Sequence, residues 1–278
     1  MKKQTWLITG VSSGFGRSLT TQLLTQGQTV IGTVRNTAKV QDLIEQYPDN
    51  FICELLDITD VAAIHTLVDK VSSENTIDVL VNNAGYGLFG AAEELSDKEV
   101  DKIIATDLTG SIQMIRSVLP YMREQQYGRI IQISSYGGQV AYPGNSMYHA
   151  AKFGIEGFCE AVAQEVAAFN IGVTIVEPGG ARTEFRYGSA RVAKLMPAYD
   201  GPSHAFMEML DPANGLAPGD PERMAARIIE STSQMPAPLH MVLGSEALKN
   251  TIQRLEERLA EYKGETELAA STDFPTNE

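Results

Sequence analysis

This 278-residue chain is short of several things, and each shortage excludes something. Its two cysteines, Cys53 and Cys159, lie far apart and fit no metal-ligand spacing. A disulfide framework is therefore not expected, and both thiols read as small packing residues of a reduced protein. The histidines number four, and His65, His204 and His240 form no ligand cluster along the chain, so no metal is assigned. Basic residues are scarce, 22 Lys and Arg against 35 Asp and Glu, for a net charge of −13. That excludes a broad nucleic-acid surface, which needs a basic face, but leaves room for a local basic pocket. No stretch approaches the roughly 18 apolar residues of a membrane span. The N-terminal "MKKQTWLITG" has two lysines but too short an apolar run for a signal peptide. A cytoplasmic protein with no membrane span is expected. Repeats and linkers are also missing, so residues 1–263 read as one domain, followed by a tail, 264–278, with four acids, no base and expected mobility.

What is present is an ordinary globular composition, 43% hydrophobic and 21% charged, in a chain long enough to bury a large core. Short, β-branched, nearly all-apolar stretches recur at 5–9, 28–34, 50–56, 77–82, 128–134, 172–177 and 239–244. Strands buried on both faces of a parallel sheet read this way. Between them the spacing is helical. Leu19, Leu23 and Leu24 follow the first strand, Val61, Ile64, Leu67, Val68 and Val71 the third, and Ile103, Ile104, Leu108 and Ile112 mark a long helix after the fourth. Such alternation predicts right-handed βαβ crossovers and an α/β, doubly wound parallel sheet of Rossmann type. The pattern loosens over 184–218, a lid-like insertion rich in aromatics, Met, Pro and Gly. A C-terminal helix follows, with Ser245 as its cap and Ile252, Leu255, Leu259 and Tyr262 on one stripe.

Two stretches carry chemistry. "TGVSSGFG" (9–16) follows the first strand and opens the first helix. Gly10, Gly14 and Gly16, with Ser12, Ser13 and Phe15 between them, would let the backbone turn sharply and approach a pyrophosphate at a helix N-terminus. A ligand-free Gly-rich turn is the plainer alternative. In "NSMYHAAKFG" (145–154), Tyr148 and Lys152 stand one helical turn apart. They are either a surface i,i+4 pair or a phenol whose acidity is set by an ammonium. His149, about 100° round the helix from Tyr148, reads as packing or solvent-facing.

The glycine spacing resembles the fingerprint of the short-chain dehydrogenase/reductase family. "NNAG" (82–85), "ISS" (133–135), Tyr148 thirteen residues after Ser135, Lys152, and "EPGGARTEF" (177–185) follow in the family's order across roughly residues 4–245. The subgroup it resembles includes 17β-hydroxysteroid dehydrogenase-like and retinol dehydrogenase-like proteins. The resemblance implies a Ser135–Tyr148–Lys152 set. Tyr148 is the acid/base, Lys152 tunes it and binds the nicotinamide ribose, and Ser135 holds the substrate oxygen. It further implies that Asp57 contacts the adenine, that Asn83, Ala84, Gly85, Pro178 and Gly179 line the cofactor cleft, and that Thr183 faces the carboxamide. Asp107 stands where the family has an asparagine that holds a relay water. It either keeps that role with an added charge or marks an altered site.

The second strand ends in "GTVRN" (32–36), with Arg35 and no acid. A guanidinium matches a 2′-phosphate that a carboxylate would repel, so NADP(H) is favoured over NAD(H). Arg17 either assists or is an exposed helix arginine. The expected function is carbonyl–alcohol interconversion on a small apolar substrate. Phe185, Tyr187, Met196, Tyr199, Phe206 and Met207 are either its walls or packing within the lid. The rival reading is a dinucleotide-binding regulatory or scaffold protein that senses NADP(H). Family resemblance adds a homodimer or homotetramer through helices near 98–126 and 147–169.

Overall fold

The protein is described by a computed structural model covering residues 3–274. In chain order the elements are β1 (Thr5–Thr9), α1 (Gly14–Thr25), β2 (Thr29–Val34), α2 (Gln41–Gln46), β3 (Phe51–Leu55), α3 (Val61–Glu74), β4 (Val79–Asn82) and β5 (Leu88–Phe89). Then come α4 (Asp97–Ile104), α5 (Gly110–Gln125), β6 (Gly128–Ile133), α6 (Ser146–Val166), β7 (Ile171–Pro178), α7 (Glu184–Tyr187) and β8 (Arg191–Val192). The chain continues through α8 (Phe206–Leu210), α9 (Pro221–Ser231), β9 (His240–Leu243), α10 (Ser245–Gly264) and α11 (Thr266–Ala270).

Seven strands form one parallel sheet in the order β3-β2-β1-β4-β6-β7-β9. Successive strand residues point to opposite faces, so a strand covered on both sides needs apolar neighbours along the chain. Leu7, Ile31, Leu80, Ile130 and Ile175 enter the layer under α3, α5 and α6. Ile8, Val30, Val81, Ile131 and Val176, each next to one of them, enter the layer under α1, α2 and α9. Each fully buried aliphatic side chain contributes about 1.5–3 kcal/mol. The chain runs outward from β1 to β3 and then returns to β4 beside β1. This reversal opens a crevice at the C-terminal tips of β1 and β4, where open α/β sheets bind ligands.

Three features depart from the sequence reading. The insertion is anchored by a second small sheet, in which β5 pairs with β8 through Leu88–Arg191 and Phe89–Val192. Two-residue strands leave no periodic trace in a sequence. The long helix is interrupted: Ala105–Thr109 between α4 and α5 is π-helical. Ser245 is not a cap. It is the first residue of α10, and Gly244 holds the N-cap position with no side chain to offer. The predicted stripe of α10 is present, but Ile252, Leu255, Leu259 and Tyr262 are exposed, while Ala247 and Thr251 face the body. In the acidic tail, residues 266–270 are helical, and 275–278 lie outside the described residues.

Candidate active site

The tips of β1, β4, β6 and β7 open into one cleft of about 1670 Å³. Single small-molecule pockets span roughly 300–1,000 Å³, so there is room for a dinucleotide and a substrate together. At its floor lies the glycine loop. Gly10 and Gly14 have φ of 74° and 55°, left-handed values that glycine adopts without a Cβ clash. Gly10, Ser12, Ser13, Gly14 and Phe15 line the cleft, whereas Gly16 is buried beneath it. Asn83 fixes the loop from β4: its side-chain amide donates to the carbonyls of Thr9 (2.9 Å) and Gly10 (3.0 Å). Ala84 and Gly85 continue the wall. Across the cleft Pro178 and Gly179 end β7, and Thr183 lies against Gly14.

At the end of β2, Arg35 lines the cleft together with Lys39, a second cation that the sequence reading missed. Asp57 is nearby. Its carboxylate accepts from the Thr59 N–H (3.0 Å) and hydroxyl (2.8 Å), which hold its pKa below the usual value, and Arg35 adds to the effect. Arg17 lies outside this cleft and is ion-paired with Asp42.

Ser135, Tyr148 and Lys152 all line the cleft, the first just past β6 and the others on adjacent turns of α6. The Ser135 oxygen accepts from Gly137 N–H (3.0 Å), which leaves its own proton to donate. Lys152 Nζ donates to the Ile133 carbonyl (3.3 Å) and lies 5.6 Å from the centre of the Tyr148 ring. It also pairs with Asp107 Oδ2 at 3.6 Å. Asp107 itself is fully buried behind the cleft wall, in the π-helical turn, where such bulges often accompany function. Its carboxylate accepts from Tyr86 N–H at 3.1 Å. A Cβ on Gly85 would come within 2.9 Å of Asp107 Oδ2, so only glycine fits there.

Burial pushes the Asp107 carboxyl up to about 6, against the opposing pull of Lys152. Burial also pushes the Tyr148 phenol above its ordinary value; a hydrogen bond with Ser135 opposes this and the Asp107 charge reinforces it. The simple expectation of a phenol acidified by Lys152 therefore needs correcting. Desolvation is the largest effect, and the Asp107 charge acts in the same direction.

His149 is buried and bonded at both nitrogens. Nδ1 donates to the Gly137 carbonyl (2.7 Å) and Nε2 accepts from Tyr142 N–H (2.9 Å). It packs the 137–142 loop at the edge of the cleft. Of the six proposed lid walls, Phe185 and Phe206 line the cleft. Phe185 sits 5.8 Å from the Tyr148 ring, and Phe206 stacks on Phe89 at 5.0 Å. The others do not line it. Tyr187 accepts from Ala217 N–H, Tyr199 donates to Glu93, Met196 N–H donates to Glu94, and Met207 is exposed. Tyr86, Phe89, Tyr142, Val192 and Met209 complete the apolar wall, and no periodicity singled them out. Among the described residues one group, Glu156, Glu177 and His240, has ligand atoms close enough to surround a cation, although the histidines do not cluster with one another.

Residues 4–191 match the family model for short chain dehydrogenases. The chain is 34% identical over 254 residues to 3-ketodihydrosphingosine reductase of Bacteroides thetaiotaomicron, covering 88% of this chain and 89% of that one. A short-chain dehydrogenase of Streptomyces avermitilis superposes with a TM-score of 0.89 at 37% identity, over 99% of this chain and 100% of that one. A closed form of serine dehydrogenase complexed with NADP+ gives 0.72 at 30% identity, over 86% and 93%. The chain belongs to the short-chain dehydrogenase/reductase family and is an oxidoreductase. No helix among the described residues is long and apolar enough to cross a membrane.

Proposed function

We propose that the enzyme uses NADP(H) to interconvert an apolar carbonyl compound and its alcohol, with Tyr148 as the proton donor and acceptor. The observation that carries this reading is the convergence of Ser135, Tyr148 and Lys152 on one wall of the cleft that ends in the glycine loop. A bound nicotinamide supplies or accepts the hydride. The Ser135 hydroxyl donates to the substrate oxygen and fixes it beside the Tyr148 phenol. Tyr148 gives its proton to that oxygen in reduction and takes one from the alcohol in oxidation. Lys152 stabilises the phenolate that results, and Asp107 and the Ile133 carbonyl hold the ammonium in place. With burial holding the proton on Tyr148, reduction is the favoured direction near neutral pH.

The choice of NADP(H) rests on Arg35 and Lys39 beside the end of β2, with no carboxylate in 32–36. The NADP+ complex of serine dehydrogenase supports it. Phe89, Phe185 and Phe206 favour an apolar substrate. The test is NADPH oxidation against a panel of ketones and aldehydes, with Tyr148→Phe as the control. Turnover should fall by at least ~10²–10⁴-fold, with NADPH affinity nearly unchanged. Retained turnover would place the acid elsewhere. Tight NADPH binding without turnover of any carbonyl or alcohol would favour the regulatory alternative.

A further inference from the structure

Beneath the cleft, on the far side of the Ser135 strand tip, lie two carboxylates that the proposed chemistry does not use. Glu156 is one turn beyond Lys152 on α6, and Glu177 is the residue before Pro178 on β7. Both are buried, and a carboxylate oxygen of one lies within 4.8 Å of an oxygen of the other. Ser134, next to Ser135, donates its hydroxyl to Glu156 Oε1 at 2.5 Å, and Gln139 donates its amide to Oε2 at 3.0 Å. His240 on β9 donates from Nδ1 to Glu177 Oε1 at 2.7 Å. Gly138 packs on the Glu156 side chain so closely that a Cβ would come within 2.7 Å of its Cγ. The cluster thus joins the segments carrying Ser135, Lys152 and Pro178–Gly179, each one residue or one turn from a cleft residue.

Two ionised carboxylates in contact inside a protein repel strongly, and a positive charge or a proton must lie between them. Two cations lie nearby, and neither is hydrogen-bonded to both carboxylates. Lys152 points to Ile133 and Asp107. His240 is partly exposed, reaches Glu156 only at 3.8 Å, and has Glu160 3.7 Å from its other nitrogen. His240 and the two carboxylates have ligand atoms within 4.8 Å of one another, so a cation is the competing occupant that the test below excludes. Cys159, the remaining titratable neighbour on α6, is a buried thiol held protonated by burial.

We propose that Glu156 and Glu177 share one proton and act in that state as positioning residues, bracing Ser135, Lys152 and Pro178–Gly179 from below. Loss of the shared proton would drive the carboxylates apart and loosen that floor. Burial first, and the Glu177 charge after the opposing Ser134 bond, push the Glu156 carboxyl up to about 8. The folded pKa of Glu156 is thus raised above the ordinary value of about 4.3. Its stabilising contribution is full below that ordinary value and is lost as pH rises towards about 8.

The test compares the whole protein with Glu156→Gln, which keeps the shape and supplies an amide proton that cannot be lost. The wild-type Tm should fall relative to the variant between about pH 5 and pH 8 and run parallel to it above. Glu177→Gln removes the neighbouring charge but leaves Glu156 buried, so it should shrink the fall and move it to lower pH without abolishing it, and the double variant should match Glu156→Gln. At pH 7 Glu156→Gln should keep kcat within about threefold of wild type and at pH 9 exceed it by at least that factor, with KM little changed. Parallel Tm profiles would overturn the proposal. So would equal losses of kcat at both pH values, which would mark a merely structural role. So too would a Tm rise with Zn2+ or Mn2+ in wild type that is absent from Glu177→Gln, which would make this a cation site. The activity arm rests on the proposed carbonyl chemistry. The Tm arm does not, and a protein that turned over no carbonyl would leave the Tm comparison standing.

Discussion

Asp107 places a carboxylate 3.6 Å from the ammonium that faces the Tyr148 phenol. With its pKa near 6 it is mostly ionised at neutral pH, and its charge disfavours the Tyr148 phenolate. In the proposed mechanism oxidation needs that phenolate as base, whereas reduction uses the protonated phenol. Asp107→Asn keeps an acceptor for Tyr86 N–H and removes the charge. The rising limb of the alcohol-oxidation pH profile should then move to lower pH, while reduction near pH 7 changes less; an unmoved limb would deny Asp107 any electrostatic reach to Tyr148. The proposed cofactor preference rests on Arg35. NADPH should bind at least tenfold more tightly than NADH, about 1.4 kcal/mol, and Arg35→Asp should reverse the order. Titration of both cofactors against both proteins decides it.

At the scale of elements, the insertion is held by a latch as well as by the β5–β8 pairing. Glu94, just before α4, has a buried carboxylate that accepts from Ala91 N–H (2.6 Å), Met196 N–H (2.6 Å) and His204 Nε2 (2.8 Å). His204 in turn reaches Asp200 at 3.0 Å. Glu94 raises the His204 pKa above its ordinary value, although burial opposes it. Burial also works against the Glu94 carboxylate, but Met196, Ala91 and His204 outweigh it and lower its pKa. The pair is therefore complete between the two. It weakens as pH falls through the lowered Glu94 value and again as pH rises through the raised His204 value. Proteolysis within 184–218 should be faster at about pH 9 than at about pH 6. In His204→Ala the rates at the two pH values should converge. A wild type cut equally fast at both would show that the latch does not govern the insertion.

For the whole molecule, α10 and α11 bear unequally on the fold. Ala247 packs against Gly179 in the cleft wall, and Asn250 donates to the Tyr142 hydroxyl at 3.4 Å. By contrast, residues 265–274 are exposed throughout. A chain ending at Gly264 should keep its Tm within about 2 °C of the full length and bind NADPH equally well. One ending at Gly244 should lose at least ~2–4 °C, the shift that about 1 kcal/mol produces in a protein this large, and bind NADPH more weakly. Thermal unfolding and cofactor titration of the two truncations give the answer.

The sequence by itself determined the main strands and helices and the motifs that mark the family. Apolar runs such as "VLV" (79–81) had to be strands covered on both faces, and Leu19, Leu23 and Leu24 had to lie on one helical stripe, because side-chain period follows from local backbone geometry. The glycine loop and the order of Ser135, Tyr148 and Lys152 were legible because turns and one-turn spacings are local too. What lay beyond the sequence was which elements become neighbours. Period reveals a residue's face and not its partner across the sheet. The strand order that brings Gly10, Asn83, Ser135 and Pro178 to one edge was thus decided by tertiary packing. So were the two-residue pairing of β5 with β8, the outward turn of the α10 stripe, and Phe89 joining Phe206 in the cleft wall. The π-helical turn that aims Asp107 at Lys152, and the meeting of Glu156 with Glu177, arise only when α6 packs on the strands beside it. Burial there overrides the proton affinities that the same residues have in an open chain.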